Sequence, residues 1–230
     1  MIFFVTGTDT GIGKTYATAL LAKAFNLLGQ RVVTQKLVQT GAEEPEDLNL
    51  HLKLSGLPAP PPDLLPYANP YLFSYPAAPE TAASLEGRKI DLLYLKESLR
   101  RLEAAYEVVL SEGAGGIYVP LTKDYTLLDF FSLIMAPVFV VSPARLGTIN
   151  HTVLTVKALK QRGLYVAGLL YNLHFAKDPF LAERSLSDIR RLTGLEHVFS
   201  FPTLKDEIPS SLAEEAAAFL REALSPRFSF

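Results

Sequence analysis

The chain contains no cysteine, which excludes disulfides, thiolate nucleophiles and cysteine-held zinc or iron–sulfur centres. It also has little excess charge of either sign, with 22 Lys and Arg against 24 Asp and Glu and a formal net charge of −2. The basic residues are scattered rather than gathered into a stripe that would release counterions from a nucleic acid, so no nucleic-acid partner is expected. Long apolar runs are missing too. Met1 to Gly7 carries no positive segment and reaches a glycine after a few apolar residues, unlike a signal peptide or a membrane span. The longest apolar stretch, Leu127 to Val141, is broken by Asp129, Ser132 and Pro137 and reads as a helix end, a turn and a buried strand. No membrane partner is expected, and cytoplasm is the expected compartment. There is neither an internal repeat nor a low-complexity tail.

What is present is an ordinary globular composition: 230 residues, 49% hydrophobic and 20% charged. One domain over residues 1–230 is expected, since a chain of this size buries roughly 70% of its unfolded surface without staples. Short runs rich in β-branched and aromatic residues recur at Ile2–Thr6, Arg31–Lys36, Glu107–Ser111, Val138–Ser142, Tyr165–Tyr171 and His197–Phe201. Between most of them lie helical patterns: Thr15–Leu28, Leu92–Ala105, Asn150–Gln161 and Pro179–Leu192. This alternation predicts an α/β fold, a mainly parallel sheet with helices on both faces, and a ligand at the carboxyl ends of the strands. Residues 57–79 hold eight prolines, too many for a helix interior or a central strand. They predict a long ordered excursion, a linker between domains being the alternative.

Directly after the first strand comes Gly7-Thr8-Asp9-Thr10-Gly11-Ile12-Gly13-Lys14-Thr15, followed by a helical pattern. Strand, glycine loop and helix form the context of a P-loop, in which backbone N–H groups converge on phosphates and the helix directs its positive end at them. The first glycine stands one residue upstream of the usual G-x-x-x-x-G-K-[ST] position. Lys14 is expected to neutralise the β- and γ-phosphates, and Thr15 to ligate magnesium. The second strand ends in Lys36, with Thr40 shortly after. A second lysine there suits a reaction that builds extra negative charge, although a surface lysine at a strand end is the plain alternative. A buried strand delivers Glu112 into Gly113-Ala114-Gly115-Gly116, where ATPases hold magnesium. Asp47 opens a helical stretch, as an ordinary first-turn acid would. Thr15, Asp47 and Glu112 together with ATP oxygens compose a suitable oxygen set for Mg2+.

These blocks resemble the dethiobiotin synthetase family: Gly7 to Thr10 with Gly13 to Thr15, Lys36 to Gly41, Glu112 to Gly116 with Pro120-Leu121, and Gly147-Thr148-Ile149-Asn150-His151. Asn69-Pro70-Tyr71 and Glu86-Gly87-Arg88 are similar to its loop segments, and the likeness runs over most of the chain. The resemblance implies a P-loop enzyme that carboxylates 7,8-diaminopelargonic acid with CO2 or bicarbonate, phosphorylates the carbamate with ATP and closes the ring. It implies that Thr10, Lys14 and Lys36 surround the carbamate and the γ-phosphate. Gly11, Ile12, Gly13, Lys14 and Thr15 would cradle the nucleotide, Asn172 would read the adenine, and Pro202, Thr203 and Leu204 would cover the base. Thr40 would assist at the substrate. It further implies a homodimer, with Gly147, Thr148 and Asn150 holding the substrate carboxylate at a helix N-terminus of the neighbouring subunit; His151 is then a helix-start residue rather than a base. Three features depart from the pattern: Gly11 stands where a larger residue is frequent, Leu37 follows Lys36 where proline is common, and the C-terminal tail after Pro202-Thr203-Leu204 does not align with it. The competing classes are a regulatory P-loop ATPase of the partitioning or nitrogenase-iron-protein type, an amidating synthase of the cobyric acid kind, and a non-enzymatic ATP-binding module.

Overall fold

The computed structural model describes residues 1–225. In chain order the elements are β1 (Ile2–Gly7), α1 (Lys14–Leu27), β2 (Val32–Lys36), β3 (Gln39–Thr40), α2 (Glu46–Ser55), α3 (Leu65–Ala68), β4 (Leu72–Phe73), α4 (Pro79–Leu85), α5 (Leu92–Ala105), β5 (Val108–Gly116), α6 (Leu127–Ile134), β6 (Val138–Pro143), α7 (Thr148–Gln161), β7 (Val166–Asn172), α8 (Pro179–Thr193), β8 (Val198–Phe201) and α9 (Ser210–Leu224). No helix among the described residues is long and apolar enough to cross a membrane.

Six strands form one sheet in the order β2-β5-β1-β6-β7-β8, and every neighbouring pair is parallel. The chain steps from β1 past β5 to β2, returns to β5, then proceeds across β1 through β6, β7 and β8. The reversal falls at β1, and in open parallel sheets the crevice at the carboxyl ends beside such a reversal is where ligands bind. Because both faces are covered, the strands read as continuous apolar runs. Phe3 and Val5 point into one core with Phe25, Phe139 and Phe219. Phe4, between them, points into the other, stacked on Phe131 at 4.0 Å between ring centres.

All six expected strands form, and β5 runs five residues further than its apolar stretch suggested. Its glycines continue the pairing with β1 as far as Gly7 opposite Gly116, across an irregularity after Val5. Gly116 lies close to the β1 backbone there, where a Cβ would make ordinary van der Waals contact with Gly7 O at 3.4 Å. The Leu127 to Val141 stretch resolves into α6, a turn with Met135 at φ 59°, and β6. The helix α9 had no counterpart in the expected pattern, although Leu212, Ala213, Ala216, Ala217, Phe219, Leu220, Ala223 and Leu224 form its buried face. Its small residues let it lie close against α1 and the sheet.

The proline-rich stretch includes α3 and β4, with Pro66 and Pro79 in the first turns of α3 and α4, where a missing N–H removes no helical bond. It returns to the sheet edge through the two-stranded pair β3–β4. There Asn69 Nδ2 donates to Lys36 O at 3.0 Å and to Tyr71 O at 3.2 Å. The excursion therefore buttresses the end of β2.

Candidate active site

The loop between β1 and α1 owes its shape to its glycines. A Cβ on Gly7 would come within 2.8 Å of Ile12 Cδ1 and 3.0 Å of Lys14 Cδ. Gly13 sits at φ +91°, and a side chain there would run into the Asn172 amide. That amide fastens the loop to β7, Nδ2 donating to Ile12 O at 2.9 Å while Oδ1 accepts from His174 N at 3.0 Å. No side chain caps α1 and no acid occupies its first turn. The unpaired N–H groups of a helix start and its dipole make this end a natural anion site.

Beside it, four charged side chains from four neighbouring elements converge: Lys14 of α1, Lys36 of β2, Asp47 of α2 and Glu112 of β5. Lys36 Nζ, at the end of β2, lies 2.6 Å from Asp47 Oδ2 and 2.6 Å from Glu112 Oε1. Thr15 Oγ1 reaches Asp47 Oδ1 at 3.0 Å and Glu112 Oε1 at 3.3 Å. On the other carboxylate oxygen, Glu112 Oε2 meets His51 Nε2 at 2.7 Å and Thr18 Oγ1 at 3.1 Å. Lys14 Nζ turns back onto its own loop, donating to Asp9 O at 2.9 Å. Glu112 and His51 are wholly buried and Lys36 nearly so.

Burial and charge pull against each other here, with different winners. Burial dominates at Lys14 and lowers its pKa to about 8, although Glu112 opposes the shift. Burial also works against the Lys36 charge, but Glu112 and Asp47 outweigh it and the pKa rises. Glu112 is disfavoured as an anion by burial, yet Lys36, His51 and Lys14 hold it far below the usual carboxylate range. Lys36 and Glu112 are thus a committed ion pair, whereas the Lys14 charge lacks a close carboxylate partner. An ammonium in that condition gains most from an incoming phosphate.

The Leu37 departure has a structural consequence. Leu37 N donates to Glu112 O at 2.9 Å, a bond proline cannot make. Together with Asn69 and the two carboxylates, it fixes Lys36 without the ring. Gly11, a second departure, lies at φ +68° with open space around it.

The donor set fits a hard divalent cation. Thr15, Asp47 and Glu112 offer oxygens around the point where the Lys36 ammonium now bridges the two acids. The described residues hold no cluster of three His, Asp or Glu donors, so a metal here would complete its shell with nucleotide oxygens and water, as Mg2+ does. Next to the loop lies a cavity of about 240 Å3 lined by Gly11, Gly13, Tyr16, Asn172, Phe175 and Leu204, among others. Its aromatic walls suit a nucleobase.

Lys14, Thr15, Lys36, Asp47 and Glu112 are therefore brought together, with Gly11, Ile12 and Gly13 shaping the loop beside them. Thr10 is exposed on the same loop, its N–H held by Asp9 Oδ1 at 2.7 Å. Asn172 and Leu204 line that cavity, while Pro202 and Thr203 are exposed, Thr203 Oγ1 lying 3.0 Å from His174 Nδ1. Thr40 stands half-buried in β3. Gly147, Thr148 and Asn150 start α7 on the opposite side of β1 from the ion cluster. Their link to the phosphate loop is Arg145, whose Nη2 donates to Asp9 Oδ2 at 2.6 Å. Sequence reasoning missed His51, Thr18 and Arg145. For the first two a signal existed: His51 follows Asp47 by four residues and Thr18 follows Lys14 by four, which places each pair on one helix face.

A parallel sheet with a glycine loop at the carboxyl end of its central strand, a buried lysine at the following helix start and a carboxylate on the adjacent strand define a P-loop nucleotide-binding protein. The chain matches the family described as an AAA domain over residues 2–210. It is 43% identical over 182 residues to the ATP-dependent dethiobiotin synthetase BioD of Chlorobaculum tepidum, covering 79% of this chain and 76% of that one. It is 38% identical over 230 residues to the protein of the same name from Anaeromyxobacter sp., covering 99% and 98%. The chain belongs to the dethiobiotin synthetase family. Its fold is also shared with the MinC:MinD cell division protein complex of Aquifex aeolicus, at a TM-score of 0.55, 16% identity and coverage of 100% and 98%. That likeness is one of fold alone.

Proposed function

We propose that this chain, working as one domain over residues 1–230, converts 7,8-diaminopelargonic acid, CO2 and ATP to dethiobiotin, ADP and phosphate. It is an ATP-dependent ligase of biotin biosynthesis. One amine of the diamine attacks CO2 and loses a proton, giving a carbamate. A carbamate oxygen takes the γ-phosphoryl group and ADP departs. The second amine then attacks the activated carbonyl carbon, phosphate leaves and the ring closes. The substrate carries its own nucleophiles, so the protein has to position groups and stabilise phosphoryl charge.

The convergence of Lys14, Lys36, Asp47, Glu112 and Thr15 beside the glycine loop carries this reading. Lys14 leaves the Asp9 carbonyl for the triphosphate, and Lys36 faces the carbamate and γ-phosphate with the Thr10 hydroxyl nearby. Thr15, Asp47 and Glu112 would hold Mg2+, which would supply positive charge to offset that of the phosphates. Asn172 and the segment Pro202, Thr203 and Leu204 border the base. Because both ends of the Asn172 amide are engaged within the protein, its main contribution is to fasten the loop at the base edge.

In our reading the enzyme is a cytoplasmic homodimer. Support comes from Leu146, Leu154, Phe180 and Leu181, which are 97%, 59%, 67% and 55% exposed around the starts of α7 and α8. Gly147, Thr148 and Asn150 would hold the carboxylate of a substrate bound mainly to the neighbouring subunit, with Thr40 assisting from that subunit's own side. Thr148 is committed to Ser142 Oγ at 2.7 Å and to Arg145 O at 3.1 Å, so the exposed Asn150 is the better contact.

The test is ADP and phosphate formation with and without the diamine and bicarbonate, with the organic product weighed by mass spectrometry. Phosphate release should depend on both co-substrates, with one dethiobiotin formed per ADP. Release that ignores the diamine would assign the chain to a switch ATPase instead.

A further inference from the structure

We propose that His51 is a positioning residue for the Glu112 carboxylate, holding Oε2 from behind so that Oε1 faces the cation site. This rests on the reading above, in which Glu112 holds magnesium. His51 lies one helical turn after Asp47 on α2. A single helix thus supplies one acid of the site and the group that aims the other. At 2.7 Å from a carboxylate oxygen, Nε2 must carry a proton, since two acceptors would repel at that distance. The other donor to Oε2, Thr18 Oγ1 at 3.1 Å, has one proton and also lies 2.9 Å from Lys14 O, so His51 is the steadier hold.

Packing alone does not account for an imidazole in this place. His51 is wholly buried and its Nδ1 has no hydrogen-bond partner. Burying such an atom unpaired is unfavourable, and an aliphatic side chain would fill the space between α2 and β5 without that cost. The bond to Glu112 is the feature an aliphatic residue would lose. A carboxylate held on one oxygen has its other oxygen and lone pairs fixed in direction, which is what outer partners of metal ligands do.

The experiment compares wild type with His51→Leu and His51→Gln by titration calorimetry of a non-hydrolysable ATP analogue at increasing magnesium. In His51→Leu, the magnesium needed for half of the metal-dependent gain in binding should rise by about tenfold or more, while metal-free nucleotide binding stays at the wild-type value. His51→Gln, whose amide can still donate, should recover most of that loss. An unchanged magnesium requirement in His51→Leu, or equal impairment of the two variants, would overturn the proposal. Should His51→Leu not fold, long-range 1H–15N spectra of 15N-histidine wild type decide the matter. They should show His51 protonated at Nε2, with that nitrogen responding to magnesium plus analogue more than to analogue alone. A proton on Nδ1 only, or no such response, would overturn it. A wild type whose nucleotide binding ignores magnesium would overturn the functional reading itself, a result visible before any variant is made.

Discussion

Lys14→Met should abolish dethiobiotin synthesis while leaving the protein folded. Removal of one preorganised donor to developing charge costs about 10^2 to 10^3 in kcat, and Lys14 is the phosphate loop's own cation. Its effect on stability has the sign expected of an unpaired buried lysine, opposite to that of Lys36. Burial has lowered its pKa to about 8, so the folded state resists its charge, and methionine keeps the apolar stem while removing that strain. The melting midpoint of Lys14→Met should therefore stay at or above the wild-type value as turnover disappears. A variant retaining full turnover would refute the role assigned to Lys14. One that melts well below wild type would refute the electrostatic account of it.

Lys36→Met should lose both activity and stability. Lys36 is buried against two carboxylates at 2.6 Å each, and its raised pKa means that folding favours its charge. That contribution is present in full below the ordinary lysine value of 10.5 and is lost only as the pH climbs through the still higher folded value. Deleting one partner of a buried ion pair costs about 3 to 5 kcal/mol, or roughly 6 to 20 °C in melting midpoint for a chain of this size. Left without the ammonium, Asp47 and Glu112 repel each other and attract another cation. Added magnesium should thus raise the melting midpoint of Lys36→Met more than that of wild type, without restoring turnover. Thermal scans with and without magnesium check this, and an equal response in the two proteins would contradict the shared placement of ammonium and metal.

These two lysines show what a sequence can and cannot convey. Their positions followed from local pattern: Gly13-Lys14-Thr15 after an apolar run, and Lys36 at the end of a β-branched one. The six strands and the flanking helices were legible for the same reason, since burial on both sheet faces leaves continuous apolar runs. The opposite electrostatic states of Lys14 and Lys36 depend on which carboxylates lie near each ammonium, and β2, β5 and α2 meet only in three dimensions. His51 was hidden because a lone histidine on a helix carries no pattern of its own, although its four-residue spacing from Asp47 was readable. The helix α9 escaped for a different reason: half of its buried face is alanine, whose apolar signal is weak. The proline-rich stretch was recognisable as irregular, but its support of Lys36 through Asn69 is a tertiary contact between residues 33 apart.

The most direct test of the account is a crystal structure with manganese in place of magnesium and a non-hydrolysable ATP analogue. The account predicts an anomalous peak bounded by Thr15, Asp47 and Glu112, with the γ-phosphate facing Lys14 and Lys36. Manganese bound away from those three residues, or a triphosphate lying outside the loop from Gly7 to Thr15, would contradict it.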